Sequence, residues 1–181
     1  GPPEDKTQRE NVTASEAELR ETRGDYMRGE LAYQQIQATK PQSLGYALND
    51  SPAGLAAWIL EKFHGWTDMP QGAGGNLDDY FSKDELLTNI SIYWFTESIT
   101  SSMRIYYENR AVPQIKPTGY IDVPTGVALF PAEIYITPRA WAEAAYDIRH
   151  WAQLEKGGHF AALEQTQTYL DELNTFFRLL R

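Results

Sequence analysis

The stretch VPTGVALFP, residues 123–131, is a short apolar run that contains a glycine. Runs of this length and composition are typical of a strand buried in a sheet. PRAWAEAAY, 138–146, opens with a proline and predicts a helix, and IRHWAQL, 148–154, alternates like a second strand. Residues 162–180 predict one closing helix with a single apolar stripe, formed by Leu163, Leu170, Leu173, Phe177 and Leu180. Strand, helix, strand and helix in this order predict an α/β fold with a parallel sheet and a right-handed crossover.

The chain before residue 117 predicts helices instead. An exposed amphipathic helix is expected from Glu16 to near Gly24 or Gly29, and a buried one from Pro52 to about Gly65. Ser82 and Glu85 form a capping-box pattern that predicts the start of a long helix. Its inner face is expected to carry Leu86, Ile90, Trp94 and Ile99. The sequence therefore predicts a mostly helical region over 1–117 and a strand-helix-strand-helix region over 118–181.

Charge and composition exclude several classes of partner. The chain has 181 residues, 42% hydrophobic, and a formal net charge of −9, so its surface field repels phosphate backbones and nucleic acid is not expected. Its apolar runs are far shorter than the ~20 residues that span a bilayer. No signal-peptide pattern opens the sequence, which favours a cytoplasmic location and no membrane segment.

Metal and cofactor sites are not expected either. The chain has no cysteine, which excludes disulfides, thiolate catalysis and thiolate-bound zinc. Its three histidines, His64, His150 and His159, do not have the spacing of a metal motif. His64 and His150 are predicted to be structural.

Two polar residues follow the predicted strands. Glu133 comes just after the first strand, and His159 follows the second strand and two glycines. In parallel α/β sheets ligands bind beyond the carboxyl ends of the strands, and an acid followed by a histidine is the order seen in α/β-hydrolases. The histidine is then a candidate base and the carboxylate its orienter. The alternatives are a histidine bonded to backbone groups and a first-turn helix glutamate favoured by the helix dipole.

A nucleophile is missing from this pattern. A nucleophile elbow needs a small residue on either side of the nucleophile, and neither GxSxG nor GxDxG occurs in the sequence. Asp50 is the nearest candidate, but the residues before it do not predict a strand. Helix capping by Asp50 or Ser51 is the better interpretation. The sequence thus contains an acid and a base without the group they would serve.

Four blocks of the sequence carry a resemblance to a known family. They are AYQQIQATKPQSLGYALNDSPAGLAAWILEKFHGWTD (32–68), LLTNISIYWFTESITSSMRIYYENR (86–110), VPTGVALFPAEI (123–134) and KGGHFAALE (156–164). Together, and in this order, they resemble the C-terminal half of microsomal-type epoxide hydrolases, a branch of the α/β-hydrolase fold. The resemblance implies a helical cap followed by the last two parallel strands and helices of the core sheet.

The resemblance also implies roles for individual residues. Tyr33 in AYQQIQ and Tyr106 in SSMRIYYEN match the two cap tyrosines that hold and protonate the epoxide oxygen, with Tyr107 as the neighbouring alternative. Glu133 matches the acid and His159 the base. The implied activity is cofactor-free hydrolysis of a small apolar epoxide to a vicinal diol through a covalent ester.

The chain departs from the family at its beginning. The half that carries the nucleophilic aspartate is absent from the sequence, and we expect a second polypeptide to supply it. A homo-oligomer is also compatible with the sequence. Two other functions stay open: a non-catalytic or truncated hydrolase fragment that serves as a binding or assembly module, and a dehalogenase-like hydrolase that does not use the same tyrosine pair.

Overall fold

The computed structural model describes residues 10–70, 75–112 and 119–181. These residues divide into two units. Unit 1 contains residues 10–27, 66–68 and 119–181, and unit 2 contains 28–65 and the described residues from 69 to 112. The boundary predicted between residues 117 and 118 lies outside the described residues. Residues 10–27 and 66–68 therefore group with the strand-containing region, although the sequence places them in the helical one.

The secondary structure is mostly helical. The helices are α1 (Ala14–Glu30), α2 (Ala32–Thr39), α3 (Pro41–Asp50), α4 (Pro52–Trp66), α5 (Lys83–Phe95), α6 (Ile99–Ala111), α7 (Arg139–Glu143), α8 (Ala161–Glu164) and α9 (Thr166–Arg178). The strands are β1 (Ile121–Leu129) and β2 (Tyr146–Gln153), and a 3-10 turn covers Leu77–Asp79. Within the described ranges, no helix is long and apolar enough to cross a bilayer.

Strands β1 and β2 form a parallel sheet in unit 1, with α7 in the connection between them. Ala128 pairs with Ala152 and Leu129 with Gln153 at the carboxyl ends of the strands. A further bridge joins Ala132 to Gly158. The predicted α/β class with a parallel sheet is confirmed.

The C-terminal helix differs from the prediction, because the chain forms two helices and not one. Gln165 separates α8 from α9 with φ −133° and ψ 50°. Next to this break, the Thr166 hydroxyl donates to the carbonyl of Ala162 at 2.8 Å. The predicted stripe residues are exposed in the chain: Leu163, Leu170, Leu173, Phe177 and Leu180.

Unit 2 contains a core formed where α3, α4, α5 and α6 meet. Its buried residues are Leu48, Leu55, Ile90, Ile99 and Met103. The predicted capping box is present: Ser82 Oγ accepts from the Glu85 amide at 3.2 Å, and Glu85 accepts from the Ser82 amide at 2.9 Å.

The long helix predicted after Ser82 is wrong in its length. Helix α5 ends at Phe95, and Glu97 has a left-handed φ of 52° that turns the chain before α6. Ile99 is therefore buried on the next helix, whereas Leu86 and Ile90 are buried on α5 as expected.

Helix α1 was expected to be exposed, but its Glu16 is buried. The Glu16 carboxylate accepts from the Thr13 amide at 2.9 Å and from the Arg139 amide at 2.8 Å. Burial by itself would raise the pKa of Glu16, but these hydrogen bonds hold it below the ordinary value. The residue links the first turns of α1 and α7 inside unit 1.

Candidate active site

The sheet register of unit 1 brings Glu133 and His159 together. Each residue follows one partner of the bridge between Ala132 and Gly158. The Ala132 amide donates to the carbonyl of Gly157 at 3.1 Å, which fixes the two chain segments side by side. The acid and the histidine are therefore placed in contact by backbone pairing beyond the carboxyl ends of β1 and β2.

The contact between the two side chains is short and direct. His159 Nδ1 lies 2.7 Å from Glu133 Oε1, and both side chains are about one-third exposed. With an ionised carboxylate as partner, Nδ1 carries the proton and Nε2 keeps its lone pair. Within the described ranges Nε2 makes no hydrogen bond. This is the arrangement required of a histidine that takes a proton from water.

Electrostatic contacts keep the Glu133 carboxylate ionised. Burial would raise the pKa of Glu133, but the hydrogen bond from His159, the Ile134 amide at 2.6 Å and the charge of Arg23 together lower it. Arg23 also donates to the carbonyl oxygens of Ala132 at 2.7 Å and Glu133 at 3.1 Å. The Arg23 guanidinium thus binds the backbone that carries Glu133, and its positive charge favours the ionised form of the Glu133 carboxylate.

Two aromatic rings flank the imidazole of His159. The Trp66 ring contacts it edge to face with centroids 5.2 Å apart, and the Phe160 ring does so at 5.3 Å. The His159 amide donates to the Trp66 carbonyl at 2.9 Å. These contacts restrict rotation of the imidazole while its edge stays exposed to solvent.

Unit 2 brings the two predicted tyrosines together. Tyr33 on α2 and Tyr106 on α6 have ring centroids 5.7 Å apart in an edge-to-face arrangement, and their hydroxyl oxygens lie 3.5 Å apart. Tyr33 is buried, whereas Tyr107 is 48% exposed. Tyr106, and not its neighbour Tyr107, is the residue that the fold pairs with Tyr33.

The separation of the two hydroxyls suits a shared acceptor. Hydroxyl hydrogen bonds are strongest near about 2.8 Å, so 3.5 Å is too long for a strong bond between them. A third oxygen can lie at about 2.8 Å from both hydroxyl oxygens at this separation. The pair is therefore arranged to donate two hydrogen bonds to one atom.

Two further side chains surround Tyr33. The Gln34 amide donates to the Tyr33 hydroxyl oxygen at 3.3 Å, and Lys62 Nζ lies 5.1 Å from the centroid of its ring. Burial would lower the pKa of Lys62, but hydrogen bonds and charges from Glu61 and Glu30 raise it above the ordinary value. Lys62 therefore carries its positive charge at neutral pH beside the Tyr33 ring.

Comparison with known proteins shows which enzymes the chain is similar to. The chain is 44% identical over 157 residues to "Epoxide hydrolase 1" of Sus scrofa, a match that covers 83% of the chain. It aligns with the juvenile hormone epoxide hydrolase of the silkworm Bombyx mori at a TM-score of 0.77 and 32% identity over 94% of the chain. The chain is a relative of the epoxide hydrolases. The Aspergillus niger epoxide hydrolase gives a TM-score of 0.77 and 28% identity over 99% of the chain, and no family model matches.

The chain corresponds to only part of these epoxide hydrolases. It spans 35% of the length of the pig protein and 43% of the silkworm structure. The structural neighbours have the α/β-hydrolase fold, and the helices and parallel strand pair of this chain fit a C-terminal portion of it.

Several side chains around the candidate epoxide hydrolase site were missed by the sequence interpretation. Arg23 lies 110 residues before Glu133 in a segment predicted to be an exposed helix, so no local pattern linked the two. Trp66, Asp68 and Glu164 lie in the sequence blocks that resemble the family. Their contacts with residues 157–159 are seen only in the structure. Within the described residues, no group of three acidic or histidine side chains is arranged to hold a metal ion.

The lowered pKa of Glu133 predicts a pH-dependent stability. The folded carboxyl binds its proton less tightly than the unfolded one, whose ordinary pKa is 4.5. The stabilisation by Glu133 is thus complete above that value and is lost as pH falls through the folded pKa. We expect the melting temperatures of the wild type and Glu133→Gln to differ at pH ~5 and to converge as pH falls below the folded pKa.

The matched control for this measurement is Glu155→Gln. Glu155 is exposed on the same loop as His159. Its melting curve is expected to follow the wild type at every pH. A difference between the wild type and Glu133→Gln that stayed constant across the range would contradict the assignment.

Proposed function

We propose that this chain is part of an epoxide hydrolase, which converts an epoxide and water into a vicinal diol through a covalent ester. The observation that carries the proposal is the 2.7 Å contact between Glu133 and His159 beyond the ends of two parallel strands. It occurs in a chain whose relatives are named epoxide hydrolases. The roles given to single residues below belong to this proposal.

The first step forms the ester. A carboxylate oxygen of an aspartate attacks one epoxide carbon, the bond from that carbon to the epoxide oxygen breaks, and the oxygen becomes an alkoxide. Tyr33 and Tyr106 donate hydrogen bonds to this oxygen, and one of them transfers its proton. A phenol with an ordinary pKa of ~10 stays protonated at neutral pH and so has the proton to give. Two donors aimed at the developing negative charge lower the barrier.

The second step hydrolyses the ester. His159 Nε2 takes a proton from water, and the hydroxide oxygen bonds to the ester carbonyl carbon. The bond from that carbon to the substrate oxygen then breaks and the diol leaves. Glu133 stabilises the imidazolium that forms on His159. The protons on His159 and on the regenerated carboxyl return to the diol oxygen and the tyrosinate, so every group recovers its starting state.

In the proposed mechanism, the nucleophilic aspartate is not a residue of this chain. The chain contains no nucleophile-elbow pattern, and it spans only 35% of the length of its pig relative. We therefore propose that an N-terminal half, joined to this chain or present as a second chain, supplies the aspartate. The proposed substrate is a small apolar epoxide, as the resemblance to microsomal-type epoxide hydrolases implies.

An isotope experiment tests the mechanism. The chain is assembled with its N-terminal half and given less than one equivalent of a styrene-oxide-type substrate in water labelled with oxygen-18. Water attacks the ester carbonyl, so in the first turnover the label is expected in the aspartate and not in the diol. Mass spectrometry of the diol and of the peptide that contains the aspartate measures both.

The chain alone is the control for this experiment. By itself the chain is expected to produce no diol. When the N-terminal half is added, native mass spectrometry is expected to show a complex of the two. If the chain stays a folded 20.6 kDa species and forms no complex with the N-terminal half, the binding-module alternative is favoured. Label in the diol during the first turnover would exclude the ester mechanism.

A further inference from the structure

We propose that Glu164 is a positioning residue that holds His159 in register with Glu133. This inference rests on the proposed function, because it assigns Glu164 a place in the ester hydrolysis step. Glu164 ends helix α8, five residues after the histidine. It does not contact the imidazole and acts through the backbone that carries it.

The Glu164 carboxylate binds the backbone on both sides of His159. Oε2 accepts from the Gly158 amide at 2.9 Å, and Oε1 accepts from the Phe160 amide at 2.9 Å. Oε2 also accepts from the Asp68 amide at 3.0 Å. The residues before and after the histidine are therefore tied to one rigid group by charge-assisted hydrogen bonds, which are stronger than neutral ones.

Residues 66–68 complete this restraint. The carboxylate of Asp68 accepts from the Gly157 amide at 2.8 Å, while the Trp66 carbonyl accepts from the His159 amide at 2.9 Å. Four consecutive amides, those of residues 157–160, are each bonded to Asp68, Trp66 or Glu164. The backbone that carries the imidazole thus has little freedom to move away from the acid.

The two glycines explain why this close approach is possible. A Cβ atom at Gly158 would lie 2.3 Å from the Trp66 carbonyl oxygen and 2.8 Å from the Asp68 amide, both of which are backbone atoms. Gly157 has a φ of +119°, which side chains other than glycine rarely adopt. The histidine loop is therefore built around the segment 66–68 and the Glu164 carboxylate.

This arrangement has a direct consequence for the proposed reaction. Only ester hydrolysis uses His159, so a displaced imidazole slows that step and leaves ester formation unchanged. A displacement of about 1 Å in a reacting group costs up to about 100-fold in rate. A residue that merely stabilised the fold would slow both steps together.

The test compares Glu164→Gln with Glu155→Gln in the assembled protein. Glutamine keeps the shape of glutamate, but its NH₂ group offers donors to amides that need acceptors. Rapid-quench single-turnover measurements follow the ester by intact-protein mass spectrometry. For Glu164→Gln we expect ester formation within about twofold of the wild type and ester decay about 10- to 100-fold slower. Glu155→Gln is expected to match the wild type in both steps.

A second readout does not depend on epoxide chemistry. At pH ~8 an ordinary histidine is neutral, and the nitrogen-15 shifts of its ring show which nitrogen carries the proton. His159 is expected to be protonated on Nδ1 in the wild type and in Glu155→Gln, and to become a mixture of tautomers in Glu164→Gln. His150, whose Nε2 lies 2.5 Å from Glu172, is the internal reference and should not change.

The outcomes separate this inference from the proposed function. A tautomer change in a protein that never forms an ester supports the positioning role and contradicts the hydrolase mechanism. Unchanged ester decay and unchanged shifts overturn the positioning role, as does an equal slowing of both steps with unchanged shifts. If Glu164→Gln does not fold, Asp68→Asn weakens the acceptor of the Gly157 amide and leaves the Glu164 carboxylate in place. It is held to the same criteria, with a smaller expected effect.

Discussion

Replacement of His159 by alanine is expected to stop the proposed reaction after its first half. Ester formation needs the nucleophile and the tyrosines, whereas attack of water on the ester needs a base. General-base catalysis contributes about 10²- to 10⁴-fold. Steady-state turnover of His159→Ala in the assembled protein is therefore expected to fall by about that factor. The ester should accumulate to one equivalent per site, as measured by intact-protein mass spectrometry.

His150→Ala is the matched control for this variant. His150 is also a partly buried histidine paired with a glutamate, Glu172, and it lies on strand β2 of the same unit. It has no role in the proposed mechanism, so its removal is expected to change turnover by only a few-fold and to trap no ester. Intact turnover in His159→Ala would show that another group is the base.

The contact between Glu133 and His159 could be anticipated from sequence because it depends on backbone pairing. Two apolar runs joined by a helix predict adjacent parallel strands, and residues just beyond their carboxyl ends must then meet at the same edge. The bridge between Ala132 and Gly158 puts the next residue of each segment in contact. The strand pattern, together with the order of an acid and then a histidine, predicted this contact.

The ends of the helices could not be anticipated in the same way. Glu97 adopts a positive φ without being glycine, so nothing in the residue type marks the turn between α5 and α6. At the break at Gln165, the neighbouring side chains of Thr166 and Glu164 bond to backbone groups, and the sequence pattern does not mark these bonds. Both stretches keep apolar residues at helical spacing through the break, and this spacing predicted continuous helices.

The tyrosine pair could not be predicted from local sequence patterns. The chain has 11 tyrosines, and no pattern distinguishes these two from the others. Tyr33 and Tyr106 are 73 residues apart and meet only when α2 packs against α6. Their selection depended on the family resemblance, and the structure then placed their hydroxyls 3.5 Å apart. Long-range side-chain contacts of this kind, like that of Arg23 with the Glu133 backbone, require the fold itself.

The double variant Tyr33→Phe with Tyr106→Phe is expected to slow ester formation, whereas His159→Ala slows ester hydrolysis. Loss of one donor to a developing oxyanion costs about 10²- to 10³-fold, and each single variant retains one hydroxyl. With both hydroxyls removed, nothing from this pair donates to the alkoxide. We expect ester formation to fall by at least ~10³-fold with no ester accumulating, because the slowed step now precedes the ester.

Tyr107→Phe is the matched control, since Tyr107 is adjacent in sequence and 48% exposed. It should leave single-turnover ester formation unchanged. The two single variants test whether the hydroxyls share one acceptor. If they do, the sum of the two single effects on ester formation should differ from the effect of the double variant. If each single variant slowed ester formation by less than about twofold and the double variant did the same, neither phenol would be a donor to the epoxide oxygen. If only Tyr106→Phe were affected, the 3.5 Å pairing would be a packing contact, and proton donation would belong to one tyrosine alone.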